Sequence, residues 1–248
     1  MKPLLEISGA SKRFGAVEAL RDVDLTVHSG EVVALAGDNG AGKSTLIKAI
    51  SGVQPADEGT FRFDGADVSI RGPHDASALG IAVVYQDLAL CDNLDVVANL
   101  FLGQEAREGG MRFMDEITME ERARTLLSSL SVRLPNLRAE VGTLSGGQRQ
   151  SVAISRSLLG EPKMVILDEP TAALGVAQTQ QVLDLVLRLK ERGLGVLLVS
   201  HNLADVFQVA DRVAVLRLGR NVGDFDADVS QHQAVVAAIT GAQTGVMA

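Results

Sequence analysis

Apolar and polar positions change period several times along the chain, and each change marks an element. Leu4 to Ser8 reads as a strand, and Val23, Leu25 and Val27 alternate with Asp22, Asp24 and Thr26 as in a half-buried strand. Lys12-Arg13-Phe14-Gly15 reads as a turn between them. Val32 to Ala36 is an unbroken apolar run of the kind a buried strand needs, with Ser29-Gly30 turning into it. Leu46, Ile47, Ala49 and Ile50 continue as a helix face, Phe61 to Gly65 as strand plus turn, and Ile81 to Tyr85 as a second buried strand. From 87 to 160 strand patterns stop. Asp92 is placed to cap a helix bearing Val96, Val97, Leu100 and Phe101. Thr118-Met119-Glu120-Glu121 matches a capping box ahead of Leu126, Leu127 and Leu130. Arg107 to Gly110 and Asn136 to Thr143 read as irregular. A helix opens at Leu144 to Gln148 and runs to about Leu159, where Gly160 and Pro162 stop it. Beyond lie a strand from Met164, a helix over Ala177 to Arg192, a strand over Val196 to Val199, a strand with Val213, Val215 and Leu216, a turn at Gly219-Arg220 and a last helix over Ser230 to Thr240. This order predicts one α/β domain over 1–248. Its core is 1–86 with 161–248, including antiparallel strands, and a helical lobe is inserted at 87–160.

Composition narrows the partners. The 248 residues hold 23 Lys+Arg against 31 Asp+Glu, a formal charge of −8, with no Trp and 3% aromatics. No basic stripe or stacking platform is present, so no nucleic-acid partner is expected. Cys91 is the only cysteine, which excludes an intrachain disulfide, fits a reducing compartment and reads as a small packed hydrophobe. Charged residues break every long apolar run, and Met1 to Glu6 shows no stretch of signal-peptide length. Service to a membrane process would need another chain to span the bilayer.

The chemistry starts after Ala36. Gly37, Gly40, Gly42, Lys43 and Ser44 match G-x-x-x-x-G-K-[ST] in strand–loop–helix context, a phosphate-binding loop that also takes in Asp38, Asn39, Ala41 and Thr45. Glycines let backbone N–H groups wrap a triphosphate, the helix N-terminus faces it, Lys43 adds a point charge, and Ser44 offers a hydroxyl to Mg2+. Gln86 ends a buried strand, where it could meet Mg2+ or water. Asp168 and Glu169 end another. An Asp there suits Mg2+ coordination, and the adjacent Glu could polarise an attacking water. Ser200 and His201 end a third, where an imidazole could bond a terminal phosphate. Ser145-Gly146-Gly147-Gln148 makes a second anion site at a helix N-terminus, which suggests the same nucleotide bound from a partner chain. Phe14 reads equally well as an adenine-stacking ring or a core-edge residue.

Phosphate loop, Gln86, Leu144 to Gln148, Asp168-Glu169 and His201 occur in the order and spacing of ABC-type ATPase cassettes, and nearly the whole chain resembles that family. More narrowly, Gly37 to Ser44, Asn99-Leu-Phe-Leu-Gly-Gln-Glu105, Glu169-Pro-Thr-Ala-Ala-Leu-Gly175 and Ser200-His-Asn-Leu resemble the ATPase subunits of bacterial simple-sugar importers. The resemblance implies a P-loop NTPase cassette that uses ATP and Mg2+. Two cassettes, a homodimer or a pair of different chains, meet head to tail, so that each ATP lies between Lys43 and Ser44 of one and Ser145 to Gln148 of the other. It further implies that Phe14 stacks on adenine, Glu169 is the catalytic base, His201 senses the γ-phosphate and Gln86 links hydrolysis to the helical lobe. A groove near Asp87 to Leu94 would receive a helix of an integral membrane permease, with a solute-binding protein acting indirectly. The cassette would then sit at the cytoplasmic face of the membrane. Gly175 departs from the family pattern, which often has an Asp there. An ABC ATPase of another transporter, and a soluble one outside transport, are the other readings of the same motifs.

Overall fold

The computed structural model describes residues 2–107 and 113–242. A six-stranded sheet organises it. Its strands are β3 (Val32–Ala36), β6 (Ile81–Val84), β7 (Met164–Asp168), β8 (Gly195–Val199), β9 (Arg212–Arg217) and β10 (Arg220–Asp226), in the order β10-β9-β3-β8-β7-β6. All pair in parallel except β10, which is antiparallel to β9. A second, antiparallel sheet has the order β2-β1-β4-β5, from β1 (Pro3–Phe14), β2 (Val17–His28), β4 (Glu58–Phe63) and β5 (Ala66–Val68).

Alternation along the central strands divides the core. Val33, Leu35, Ile166, Leu197, Val199 and Leu216 pack on Leu46, Ile47 and Ile50 of α1 (Lys43–Ile50) and on the antiparallel sheet. Val32, Val165, Leu167, Val196 and Leu198 face α6 (Val176–Glu191) on the opposite side, where Ala153 and Ile154 of α5 (Gly146–Ser157) join them. Ala34, Ala36, Val213 and Val215 pack against α7 (Leu203–Val209) and α8 (His232–Thr240). Parallel strands covered on both faces must be apolar throughout, which is why these runs are unbroken in the sequence.

Between β6 and β7 the described residues form α3 (Val96–Phe101), α4 (Glu116–Ser129), a 3₁₀ turn at Val141–Thr143 and α5, with an apolar cluster of their own that includes Leu100, Phe101, Ala123, Leu127 and Val152. Two helix starts differ from expectation. Asp95, not Asp92, caps α3, accepting from the Ala98 N–H at 2.7 Å. Asp115 caps α4, its two oxygens taking the N–H and hydroxyl of Thr118. Thr118 is therefore inside the first turn rather than its cap. The expected turn at Lys12–Gly15 is also displaced. β1 runs on to Phe14, which pairs with Val17, and the chain turns at Gly15-Ala16. The loop expected at Arg107 to Gly110 lies, past Arg107, outside the described residues. Helix α2 (Pro73–Leu79), β5 and β10 carried no clear pattern.

The segment from Cys91 to Asp95 is shaped by one side chain. Asn99 has 0% exposure; its amide donates toward the carbonyls of Cys91, Leu94 and Asp95, and its oxygen accepts from the Cys91 N–H at 2.8 Å. The three carbonyls have backbone donors as well, from Leu94, Val141 and Asn99, so removing the side chain strands one group, the Cys91 N–H, at a cost of about 1–3 kcal/mol. Asn99→Ala is expected to destabilise the chain by about 1–3 kcal/mol, read as a lower urea midpoint.

Candidate functional site

Parallel pairing puts the strand ends level. Val199 is in register with Leu35 of β3 on one side and with Asp168 of β7 on the other. The residues just beyond, Gly37, Ser200-His201 and Glu169, therefore emerge along one edge of the sheet, where α/β sheets present ligands.

The loop between β3 and α1 is sterically committed. Gly37, Gly40 and Gly42 all have positive φ, at 151°, 79° and 106°. A side-chain carbon on Gly37 would come within 2.3 Å of the Leu216 carbonyl oxygen, and one on Gly42 within 2.8 Å of that of Ala19. Gly42 also precedes α1 without any side-chain cap, so the first N–H groups of the helix are left for an anion. Ala41 is buried in the main core beneath the loop, while Asp38, Asn39 and Ser44 are exposed on it and Thr45 is half-buried. The Lys43 ammonium bonds the carbonyls of Gly37 and Asp38 at 2.6 and 3.1 Å, so its charge sits over the loop.

Opposite the loop, Asp168 ends β7 half-buried. Burial first, and then the charge of Glu169, holds its carboxyl above the usual carboxylate value, while Lys43 and Lys48 pull it back. Glu169 has φ 51° and donates its N–H to the Val199 carbonyl at 2.9 Å. Its Oε2 lies 2.8 Å from Nδ1 of His201, whose side chain is 72% exposed. Lys43, Asp168, Glu169 and His201 thus gather at one edge.

Other expected site residues lie apart from that group. Gln86 is exposed beyond β6, at the end of the same edge. Ser145 caps α5; its hydroxyl accepts from the Gln148 N–H at 3.3 Å while the Gln148 side chain accepts from the Ser145 N–H at 2.9 Å. Gly146 and Gly147 are packed on Leu174 and Gln178, each close enough that an added carbon would meet them at 2.9 Å. Among the described residues no hydrogen bond joins Ser145 to Gln148 with the phosphate loop of the same chain. Phe14 is 43% exposed at the β1–β2 hairpin, with the Lys12 ammonium 5.6 Å from its ring centroid. The same hairpin presses Ala19 and Leu20 against Gly42. At Gly175 a side-chain carbon would meet nothing within 4 Å, so the missing Asp is not a steric exclusion. One contact that sequence reasoning missed joins Thr171 to Asp205. Its only trace in the sequence is an acidic residue on the helix after His201.

The family model of ABC transporters matches residues 20–172. This chain belongs to the ABC transporter family. The cassette is 48% identical over 220 residues, 89% of its length and 87% of the other's, to the xylose/arabinose import ATP-binding protein XylG of Sulfolobus acidocaldarius. It is 45% identical, over 98% of its length and 95% of the other's, to the fructose import ATP-binding protein FrcA of Rhizobium meliloti. Among solved structures it resembles the ADP conformation of MJ1267, an ATP-binding cassette of an ABC transporter, with TM-score 0.84 and 29% identity, covering 97% of this chain and 100% of that one. It also resembles MJ0796, an ATP-binding cassette solved as a dimer in a post-hydrolysis state with ADP and phosphate, with TM-score 0.73, 25% identity, and 90% and 99% covered.

Asp168 supplies a test of the site's electrostatics. A carboxylate whose folded value is raised above its ordinary 3.8 stabilises the fold only while protonated, and that contribution is lost as pH rises through the folded value. At neutral pH its charge opposes folding. Asp168→Asn removes that charge and is expected to raise the melting temperature of the nucleotide-free cassette at about pH 7, the gain shrinking as pH falls towards about 4. Thermal melts across that range check it; a variant melting at or below the parent at neutral pH contradicts it.

Proposed function

We propose that the cassette is the ATP-hydrolysing subunit of an importer for a simple sugar. It works as a head-to-tail pair under an integral membrane permease, at the cytoplasmic face of the membrane, and a solute-binding protein delivers the sugar. The observation that carries the reading is the level set of strand ends, which gathers a phosphate loop, a lysine, two carboxylates and an imidazole at one edge. The sugar class rests on the xylose/arabinose and fructose import proteins it is similar to. No described helix is long and apolar enough to cross a membrane, in keeping with a separate permease. The cassette is taken as one domain, with 87–160 as its helical lobe.

In this mechanism the N–H groups of Gly40 to Thr45 and the Lys43 ammonium bind the β- and γ-phosphates. Phe14 offers a face to adenine. Glu169 accepts the proton of the attacking water, and the carboxylate reaches the sheet edge because the turn after β7 holds it there. With both ring nitrogens protonated, His201 would donate through Nδ1 to Glu169 and through Nε2 to the γ-phosphate, keeping base and phosphate in one arrangement. Ser145 to Gln148 would close the site from the partner cassette. A capping box, two close-packed glycines and a helix N-terminus form a rigid anion-facing surface there. Gln86, beyond β6, would report the state of the nucleotide to the helical lobe.

Mg2+ fits the residues present. Asp168 and the Ser44 hydroxyl are hard oxygen donors, Gln86 adds an amide oxygen, and a divalent cation there would offset the burial and the Glu169 charge that disfavour the Asp168 anion. The described residues hold no cluster of three acidic, His or Cys ligands, which suits a cation shared with nucleotide phosphates rather than caged by protein. When bound, the ion would neutralise phosphate charge.

Two substitutions test the assignment. Glu169→Gln is expected to bind ATP with unchanged affinity, lose about 10²–10⁴-fold in kcat, and accumulate ATP-bound dimers on gel filtration. An unimpaired turnover would remove Glu169 from its role. Lys43→Ala is expected to weaken ATP binding by calorimetry, and unchanged affinity would count against the loop.

A further inference from the structure

Asp205 is an unusual side chain for its place. It lies on α7, the seven-residue helix that starts two residues after His201, and it is only 7% exposed. A carboxylate that buried needs a partner. Among the described residues no cation pairs with it within salt-bridge distance. Its partner is the hydroxyl of Thr171, which donates to Oδ2 at 2.7 Å. Thr171 stands two residues after Glu169, in the turn that closes through the Ala172 N–H to the Glu169 carbonyl at 3.1 Å. That turn has an energetic cost of its own, because Glu169 and Ala173 both sit at positive φ, 51° and 60°.

The two loops therefore meet twice at the sheet edge. The outer meeting is between Glu169 and His201, exposed to solvent on the imidazole side. The inner one is between the half-buried Thr171 and the buried Asp205, where a hydrogen bond to a charged acceptor is strong and its loss costly. The helix bearing Asp205 is fixed in turn. Asn202 caps it from the Ala204 N–H, and the Ser200 hydroxyl accepts from the Asn202 N–H. Val206 anchors it in the core against the central sheet.

The geometry points to Asp205 as a positioning residue for hydrolysis: acting through Thr171, it sets the turn that aims Glu169 and fixes its distance to His201. Neither side chain belongs to the set assigned above to the nucleotide. The proposal rests on the reading of Glu169 and His201 as the hydrolytic pair. Misplacing a base by about 1 Å can cost roughly 10²-fold in rate, while binding at the phosphate loop, on the other side of β8, is untouched.

The test is steady-state hydrolysis of Mg-ATP by the full chain, with ATP affinity and melting temperature measured on the same samples. Thr171→Val, which keeps the shape and removes the donor, and Asp205→Leu are each expected to lower kcat by roughly 10–100-fold with ATP affinity within about twofold. Thr171→Ser and Asp205→Asn, which keep a donor and an acceptor, are expected to recover most of the rate. If Asp205→Leu fails to fold, Thr171→Val decides alone. An unchanged kcat in folded Thr171→Val overturns the proposal. So does a fall in ATP affinity as large as the fall in kcat, since that marks general disruption. A parent chain that binds ATP and never hydrolyses it would instead overturn the reading of Glu169 and His201.

Discussion

The lateral register at Val199 is the constraint on which the site depends. That residue is level with Leu35 and with Asp168, and its carbonyl accepts the Glu169 N–H. A slip of one residue in either pairing would turn alternate side chains to the other face of the sheet and carry the carboxylates away from the phosphate loop. What resists the slip is the division of the core: odd and even positions of β3, β7 and β8 feed different apolar clusters on the two faces. Packing energy far from the nucleotide thus fixes the distances at its phosphates.

The strongest features of the chain were legible because they are local. Val32 to Ala36, the glycine loop and the start of α1 lie within one short stretch, and steric need alone explains Gly37 and Gly42. Asp168-Glu169 and His201 were readable because polar residues end apolar runs. Other features depended on partners distant in sequence. The extension of β1 to Phe14 needs Leu20, Glu18 and Val17 opposite it, and the residues themselves are mostly polar. β10 pairs at a sheet edge and shows little apolar alternation beyond Phe225. At the helix starts the sequence offered two acceptors each time. Asp92 and Asp95 are one turn apart, and so are Asp115 and Thr118; only the reach to a specific N–H chose between them. The bond between Thr171 and Asp205 spans 34 residues, and no pattern in either segment announces it.

Several devices at the site work against stability. Burial and a neighbouring charge disfavour the Asp168 anion, Glu169 and Ala173 occupy strained backbone, and Asp205 is buried with no cation within salt-bridge distance among the described residues. They lie within a few residues of three strand ends whose interiors are wholly apolar. A rigid sheet tolerates such strain at its rim because the surrounding structure leaves the rim no alternative shape.

The Asn99 cradle has a consequence of its own. The stretch from Cys91 to Asp95 lies outside the named strands and helices; four backbone groups there bond one side chain carried by α3, and the carbonyls of Asp92 and Leu94 also accept from Gly142 and Val141. Its order is borrowed. The Cys91 amide is shut from solvent only while α3 is wound, so its hydrogen exchange follows the opening of that helix rather than the fluctuations of a loop. The segment from Cys91 to Asp95 and α3 accordingly open and close as one unit.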